Sequence, residues 1–134
     1  MKSFINDIMV VSNKKYFPKI KKLLEEMGFH KLYIFPARSQ VDAIFEISLI
    51  RSAGRDIDLL IFDYRDRETE LEKIMNLKKL ENGLATTIPK IVMLDPEKIQ
   101  FVKNSDQFKK SEIIFIAEAE LEETIKKSLR LEEE

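Results

Sequence analysis

Oxygen-bearing side chains follow several of the short apolar runs in this chain. Asp63 comes directly after the run 57–62, Asp95 follows the run 91–94, and Ser12 and Asn13 follow the run 8–11. Carboxylate and amide oxygens at strand ends can hold a divalent cation or form part of a small catalytic site. These positions are the first candidates for a functional site.

The composition excludes several other kinds of chemistry. The chain of 134 residues has no cysteine and one histidine, so thiolate nucleophiles and Cys-ligated zinc are excluded. It has 23 Lys and Arg against 24 Asp and Glu, a formal charge of -1. Because nucleic-acid binding needs an excess of basic residues, this balance predicts no nucleic-acid partner.

Two periodicities alternate along the chain. Short apolar runs, typical of strands buried on both faces, lie at 8–11, 32–35, 57–62, 91–94 and 113–116, and Asp58 is the one polar exception among them. Between them, apolar residues recur at helical spacing. The predicted helices are one that stops at Gly28, one capped by Ser39 and closed at 52–54, one over 68–80, one that starts at Asp95-Pro96, and one over 120–131. In the second helix we expect Val41, Ile44 and Phe45, continued by Ser48, to start an apolar stripe that Ile47, Leu49 and Ile50 widen.

Five strand–helix units with short connections predict an α/β fold. Specifically, we expect a flavodoxin-like, doubly wound (βα)5 three-layer sandwich with a parallel sheet in the order 2-1-3-4-5. Residues 1–134 are predicted to be a single domain, with a core over about 5–131 and a solvated acidic tail at 132–134. The N-terminus is not typical of a signal peptide and no run could span a membrane, so we expect a cytoplasmic protein with no membrane partner.

Ligands of such folds bind at the carboxyl ends of the strands, near the switch point between the first and third. The stretch Ser12-Asn13-Lys14 lacks the glycines of a phosphate-cradling loop, so we expect no flavin or dinucleotide cofactor. The same rule nominates the stretch Asp63-Tyr64-Arg65, Asp95 and the pair Ala117-Glu118.

The chain resembles the receiver domain of two-component response regulators. The resemblance extends over about residues 8–129 and rests on the strand spacing and on four segments. These are Leu23 to Phe29, Val41-Asp42-Ala43, the strand that ends at Asp63, and Ile88-Pro89.

The resemblance implies a set of functional positions, most of which are altered here. A working receiver has an acidic pair for Mg²⁺ after the first strand, and this chain has Ser12 and Asn13 there. Asp63 matches the phosphoacceptor. The Thr or Ser that ends the fourth strand is replaced by Leu94, and the Lys that ends the fifth is replaced by Ile116 or Ala117. We therefore predict a degenerate receiver, or pseudo-receiver, that holds no metal.

The function predicted on this basis is signal transduction by binding another protein, without enzymatic activity, standard Mg²⁺-dependent phosphorylation or a cofactor. One alternative is an atypical phosphoreceiver that uses Asp63 in a phosphorelay, for which Mg²⁺ would be needed. Another is a small flavodoxin-like enzyme with its site at Asn13, Asp63 and Asp95. A displaced cation site formed by Asp63, Asp66, Asp95 and Glu118 is a further alternative, as is a purely structural Asp63 paired with Arg65 or Lys14.

The surface that receivers use to meet partners suggests the interaction region. It would include Ile99, Phe101 and Phe108, for a signalling protein or a second copy of this chain. Phe101 cannot share a helix face with Ile99 and Val102, so we expect an exposed apolar side chain there. His30 is predicted to be a surface or capping residue at a corner between a helix and a strand.

Overall fold

The computed structural model describes residues 6–65, 88–104 and 113–131. Five strands form one parallel sheet in the order β2-β1-β3-β4-β5. They are β1 Ile8–Val11, β2 Ile34–Ala37, β3 Leu59–Asp63, β4 Lys90–Met93 and β5 Ile114–Ile116. The predicted fold class and strand order are confirmed.

Helices cover both faces of the sheet. They are α1 Phe17–Glu26, α2 Gln40–Ser52, α3 Pro96–Lys103 and α4 Leu121–Ser128, with short 3-10 turns at Lys31–Tyr33 and Glu118–Glu120. Side chains of α1 and α4 pack in one hydrophobic cluster with Ile8, Val10 and Ile61, while α2 and α3 pack in the other with Met9 and Phe62. The side chains of alternate residues in each strand therefore pack on opposite faces of the sheet, as a sheet buried on both faces requires.

The second strand was predicted two residues too early. Residues 31–33 form the 3-10 turn, and the strand runs over Ile34–Ala37 with Pro36 inside it. Proline lacks the amide that a central strand needs, but β2 lies at the edge of the sheet and pairs with β1 alone among the described strands. Pro36 is compatible with this edge position, so it does not end the strand as expected.

The predicted apolar stripe of α2 is wrong at Val41 and Phe45, although Ile47 and Ile50, which were expected to widen it, do pack in the core. Ala43 and Ile47 are fully buried, whereas Val41 is 77% exposed and Phe45 is 61% exposed. The helix is apolar on two opposite sides, so periodicity alone does not determine which side meets the sheet. The predicted cap is confirmed, because Ser39 Oγ accepts a hydrogen bond from the amide of Asp42 at 3.1 Å.

Other predicted features lie outside the described residues. They are the helix over 68–80, the acidic tail 132–134, and the side chains of Asp66 and Phe108.

Candidate functional site

The register of the sheet brings the nominated positions to one edge. Val11 pairs with Phe62, Asp63 pairs with Met93, and Met93 pairs with Ile116. The next residues of these strands, Ser12, Leu94 and Ala117, thus emerge at the same carboxyl edge as Asp63. Topology therefore assembles the receiver-like positions as the sequence predicts.

Asp63 is the last residue of β3, and its side chain is fully buried. The guanidinium of Arg65 binds both carboxylate oxygens, with Nε donating to Oδ1 at 2.9 Å and Nη2 donating to Oδ2 at 2.7 Å. The amide of Arg65 also donates to Oδ1 at 3.2 Å. Of the two pairings proposed for Asp63, the structure contains the one with Arg65, while Lys14 is exposed. This fork-like geometry is the strongest form of a charge-assisted hydrogen bond.

Arg65 continues the contact to a second carboxylate. Its Nη1 lies 2.6 Å from Glu118 Oε2, and Glu118 Oε1 lies 2.7 Å from Lys19 Nζ. Two acids and two bases thus form a series of ion pairs with no net charge, which runs from β3, through the turn after β5, to α1. We call these four residues, Asp63, Arg65, Glu118 and Lys19, the charge chain. The ring of Tyr16, with its centroid 5.3 Å from the Arg65 guanidinium carbon, contributes a cation–π contact.

The ion pairs of the charge chain change the pKa values of Arg65 and Glu118. The hydrogen bonds of Asp63 are the main cause that raises the pKa of Arg65 above its usual range. The pKa of Glu118 is lowered, first by its hydrogen bond with Lys19 and next by its bond with Arg65. Both shifts favour the ionised forms, so the ion pairs of the charge chain are present at neutral pH.

The positions of the missing acidic pair do not resemble a metal site. Ser12 is buried, and its Oγ has no hydrogen-bond partner among the described residues. Asn13 is exposed, and its Oδ1 accepts from the amides of Lys15 and Tyr16 at 2.9 and 3.2 Å. The Asn13 oxygen therefore shapes the entry to α1. In the described ranges there is no group of three or more His, Asp or Glu side chains that could hold a metal.

The remaining receiver-like positions are apolar. Leu94 and Ile116 are buried, and Ala117 is half-buried against the core. Asp95 lies at the start of α3, where its side chain makes no capping hydrogen bond. Asp63 and Glu118 do converge, as the displaced cation site required, but the cation between them is the Arg65 guanidinium.

Tyr64, one of the residues nominated at the end of the third strand, is a buried polar group whose contact with α2 the sequence did not predict. Its hydroxyl accepts a 2.8 Å hydrogen bond from Gln40 Nε2 at the start of α2, and its ring packs 5.7 Å from that of Phe62. Burial raises the pKa of Tyr64 to about 12. The contact joins the end of β3 to α2, on the side of the sheet opposite α1 and α4.

A groove of about 520 Å³ opens beside the charge chain. Its walls come from α1 and α4, and Arg65 lies at its border together with Lys19 and Glu118. Asn13, Asp63 and Asp95, the residues of the enzyme alternative, do not line this groove.

The two described residues of the predicted interface differ in their exposure to solvent. Ile99 is only 9% exposed and packs in the core, so its assignment to an interaction surface is wrong. Phe101 is 60% exposed, as its position on the helix required. His30 caps the turn before β2, with Nδ1 accepting from the amide of Leu32 at 3.1 Å, which confirms its predicted structural place.

Comparison with known proteins relates the fold to one class. A two-component response regulator from Cytophaga hutchinsonii is similar in structure, with a TM-score of 0.59 and 16% sequence identity over 96% of this chain and 99% of that chain. No family model matches the sequence, and no curated protein matches it. The chain therefore has a receiver-like, flavodoxin-like fold.

In the described parts of the chain, no helix has the length and apolar character needed to cross a membrane.

Proposed function

We propose that this protein is a receiver-like signalling module that acts by binding another protein, without Mg²⁺-dependent phosphorylation of Asp63. The observation that carries the proposal is the bidentate bond between Arg65 and the fully buried carboxylate of Asp63. The fold supports the first half of the proposal, and the chemistry at the strand ends supports the second.

Phosphorylation of Asp63 would require an oxygen with a lone pair aimed at an incoming phosphorus. In this chain both oxygens are already bound to the Arg65 guanidinium at hydrogen-bond distance. Moving Arg65 would also break its bond to Glu118. The reaction competes with this internal ion pair, which would slow transfer from a small phosphodonor.

Among the described residues at the carboxyl edge of the sheet, the groups that stabilise phosphoryl transfer are absent as well. Metal ions and ammonium groups normally neutralise the charge on the equatorial oxygens. At this edge of the sheet, Ser12 and Asn13 supply no carboxylate for Mg²⁺, and Leu94 cannot donate a hydrogen bond to a phosphoryl oxygen. Arg65 contributes a positive charge but uses it on Asp63 itself, so we assign it a structural role.

Treatment with a small-molecule phosphodonor and Mg²⁺, followed by intact mass measurement, tests the proposal. We expect the wild-type mass to stay unchanged while a working receiver domain, treated in parallel, gains a phosphoryl group. Stoichiometric modification that disappears in Asp63→Asn would overturn the proposal and favour the atypical phosphoreceiver.

The variant Arg65→Met separates the two obstacles to phosphorylation, which are the ion pair with Arg65 and the lack of groups that bind Mg²⁺. It exposes the Asp63 carboxylate without supplying a metal site, so we expect it to remain unmodified on the same time scale. Rapid modification of this variant alone would show that Arg65 is the sole barrier.

We propose that partner binding involves the surface around Phe101 on α3. A 60% exposed phenylalanine on a short helix is a common anchor for a protein contact. Affinity capture with wild-type and Phe101→Glu baits tests this assignment. Partners retained equally by both baits would contradict it.

A further inference from the structure

The exposed side of α2 is an apolar surface. Val41 is 77% exposed, Phe45 61%, Leu49 51% and Ile44 37%, while the opposite side of the helix packs on the sheet through Ala43 and Ile47. The charge chain at the carboxyl edge of the sheet makes no use of this surface. We call these four exposed residues, with Ser48 and Ser52, the α2 face.

The area of the α2 face fits the apolar centre of a small dimer interface. The four apolar side chains expose roughly 400 Å², if a fully exposed large apolar side chain is taken as about 180 Å². Two copies would bury about 800 Å² of apolar surface. Since homodimer interfaces are about 65% apolar, the whole contact would be about 1,200 Å², the lower end for specific interfaces.

The shape of the α2 face is complementary to itself. Val41, Phe45 and Leu49 follow one another at intervals of four residues and form a high ridge. Ile44, Ser48 and Ser52 form the neighbouring row, which is low because two of its members are serines. When two such helices run in the same general direction about a two-fold axis, the ridge of each copy meets the low row of the other.

The charges beside the α2 face favour the same arrangement. At about 100° per residue, Asp42 and Glu46 lie along the flank next to the ridge, and Arg51 lies along the flank next to the low row. The two-fold axis that places ridge against low row also places the acidic flank against the flank of Arg51. In the single chain Arg51 is bound to Asp56, with a side chain that is 30% exposed.

We propose that the α2 face binds the α2 face of a second copy of this chain, forming a two-fold symmetric dimer. The occupant is a second copy because the ridge, the low row and the two charged flanks each find their complement on the same surface. This surface is distinct from the one around Phe101, so the dimer can form while a signalling partner is bound.

Sedimentation equilibrium over a concentration series tests the proposal. The apparent mass is expected to rise from 15.8 kDa toward twice that value as concentration increases. Phe45→Glu should weaken association by a factor of at least about ten, because it places charges at the centre of the contact. The matched control is Ile114→Glu, since Ile114 is also an exposed apolar residue, 42% exposed on β5 at the sheet edge opposite β2; it should associate like the wild type.

Cross-linking gives a second measurement that does not depend on the stability of Phe45→Glu. Because the chain has no cysteine, Ser48→Cys introduces a unique thiol at the middle of the α2 face. A short bis-maleimide reagent should join two Ser48→Cys chains and leave Gln100→Cys, an exposed position on α3, uncoupled.

Three results would overturn the proposal. They are a wild type that stays monomeric over the whole series, association of Phe45→Glu equal to that of the wild type, and coupling through Gln100→Cys in place of Ser48→Cys. A monomeric protein that still binds a signalling partner would leave the proposed function intact, so the two proposals fail separately.

Discussion

Arg65 binds both carboxylate oxygens of Asp63 from only two residues further along the chain, at 2.9 and 2.7 Å. The resemblance to receivers assigns the positive charge near this aspartate to a lysine at the end of the fifth strand. Here a neighbour of the aspartate supplies the charge instead. A carboxylate that would react in a receiver is thereby part of an internal ion pair.

Removing Arg65 should be costly, because it leaves the fully buried charge of Asp63 unpaired. For Arg65→Met we expect the free energy of unfolding to fall by about 3 kcal/mol or more. Arg51→Met is the matched control, since Arg51 also binds an aspartate at 2.9 Å but that carboxylate is 57% exposed. It should lose at most about 1 kcal/mol. Urea unfolding of both variants measures the difference, and equal losses would contradict the role given to Arg65.

The pKa shift of Glu118 predicts a dependence of stability on pH. Its pKa is lower in the folded chain than the ordinary value of 4.5, so the folded state favours the ionised form. The stabilisation is fully present above pH 4.5 and is lost as pH falls through the folded pKa. Because the side chain is 46% exposed, we expect less than about 1 kcal/mol.

The comparison of wild type with Glu118→Gln measures this contribution. The difference in free energy of unfolding should be constant near neutral pH and should shrink well below pH 4.5. Glu122→Gln is a suitable control, since Glu122 Oε2 lies 3.9 Å from Lys126 Nζ, much further than the 2.6 and 2.7 Å contacts of Glu118. A difference for Glu118→Gln that is independent of pH would show that the ion pairs with Lys19 and Arg65 are not its origin.

Tyr64 should titrate at high pH. Burial raises its pKa from 10.0 to about 12, so the folded chain retains this phenol proton after the unfolded chain has lost it. The unfolding free energy should therefore fall between about pH 10 and 12. Ultraviolet titration of tyrosinate should show a transition near 12 that disappears in Tyr64→Phe and persists in Tyr16→Phe. Loss of that transition in Tyr16→Phe would show that it belongs to Tyr16 and would contradict its assignment to Tyr64.

Ser12→Ala should stabilise the protein. The Ser12 hydroxyl is buried with no hydrogen-bond partner in the described part of the chain, so it contributes desolvation without a bond in return. We expect the free energy of unfolding to rise by about 1 kcal/mol. Ser39→Ala is the contrasting control, because Ser39 caps α2 and should cost about 1 kcal/mol. Destabilisation by both substitutions would indicate that the Ser12 hydroxyl has a role in the fold.

Much of the architecture was predictable because it depends on local patterns. Runs of apolar residues at the spacing of buried strands, separated by helical periods, led to the sheet order and to the place of Asp63 at the end of a strand. The cap at Ser39 follows from the same local chemistry. Local patterns failed at β2, where the tolerance of an edge strand for Pro36 depends on its neighbours in the sheet.

The orientation of α2 could not be derived from periodicity. Val41 and Phe45 on one side, and Ala43 and Ile47 on the other, satisfy the same helical spacing. The sheet accepts the side with Ala43, whose small side chain lies fully buried, and leaves the larger residues exposed. Packing against a specific surface, a property of the assembled layers, determined this choice.

The sequence by itself determined which groups are present at the carboxyl edge of the sheet: an aspartate at the end of the third strand, no acidic pair after the first and no lysine at the end of the fifth. It left open whether Arg65 or Lys14 pairs with Asp63, and it did not connect Arg65 with Glu118 or Lys19. The contacts of Glu118 with Arg65 and with Lys19 join segments that are distant along the chain, and they exist because parallel strands bring their ends to one edge. Only the tertiary structure could decide them, since ion pairing depends on distance in space rather than on order in sequence.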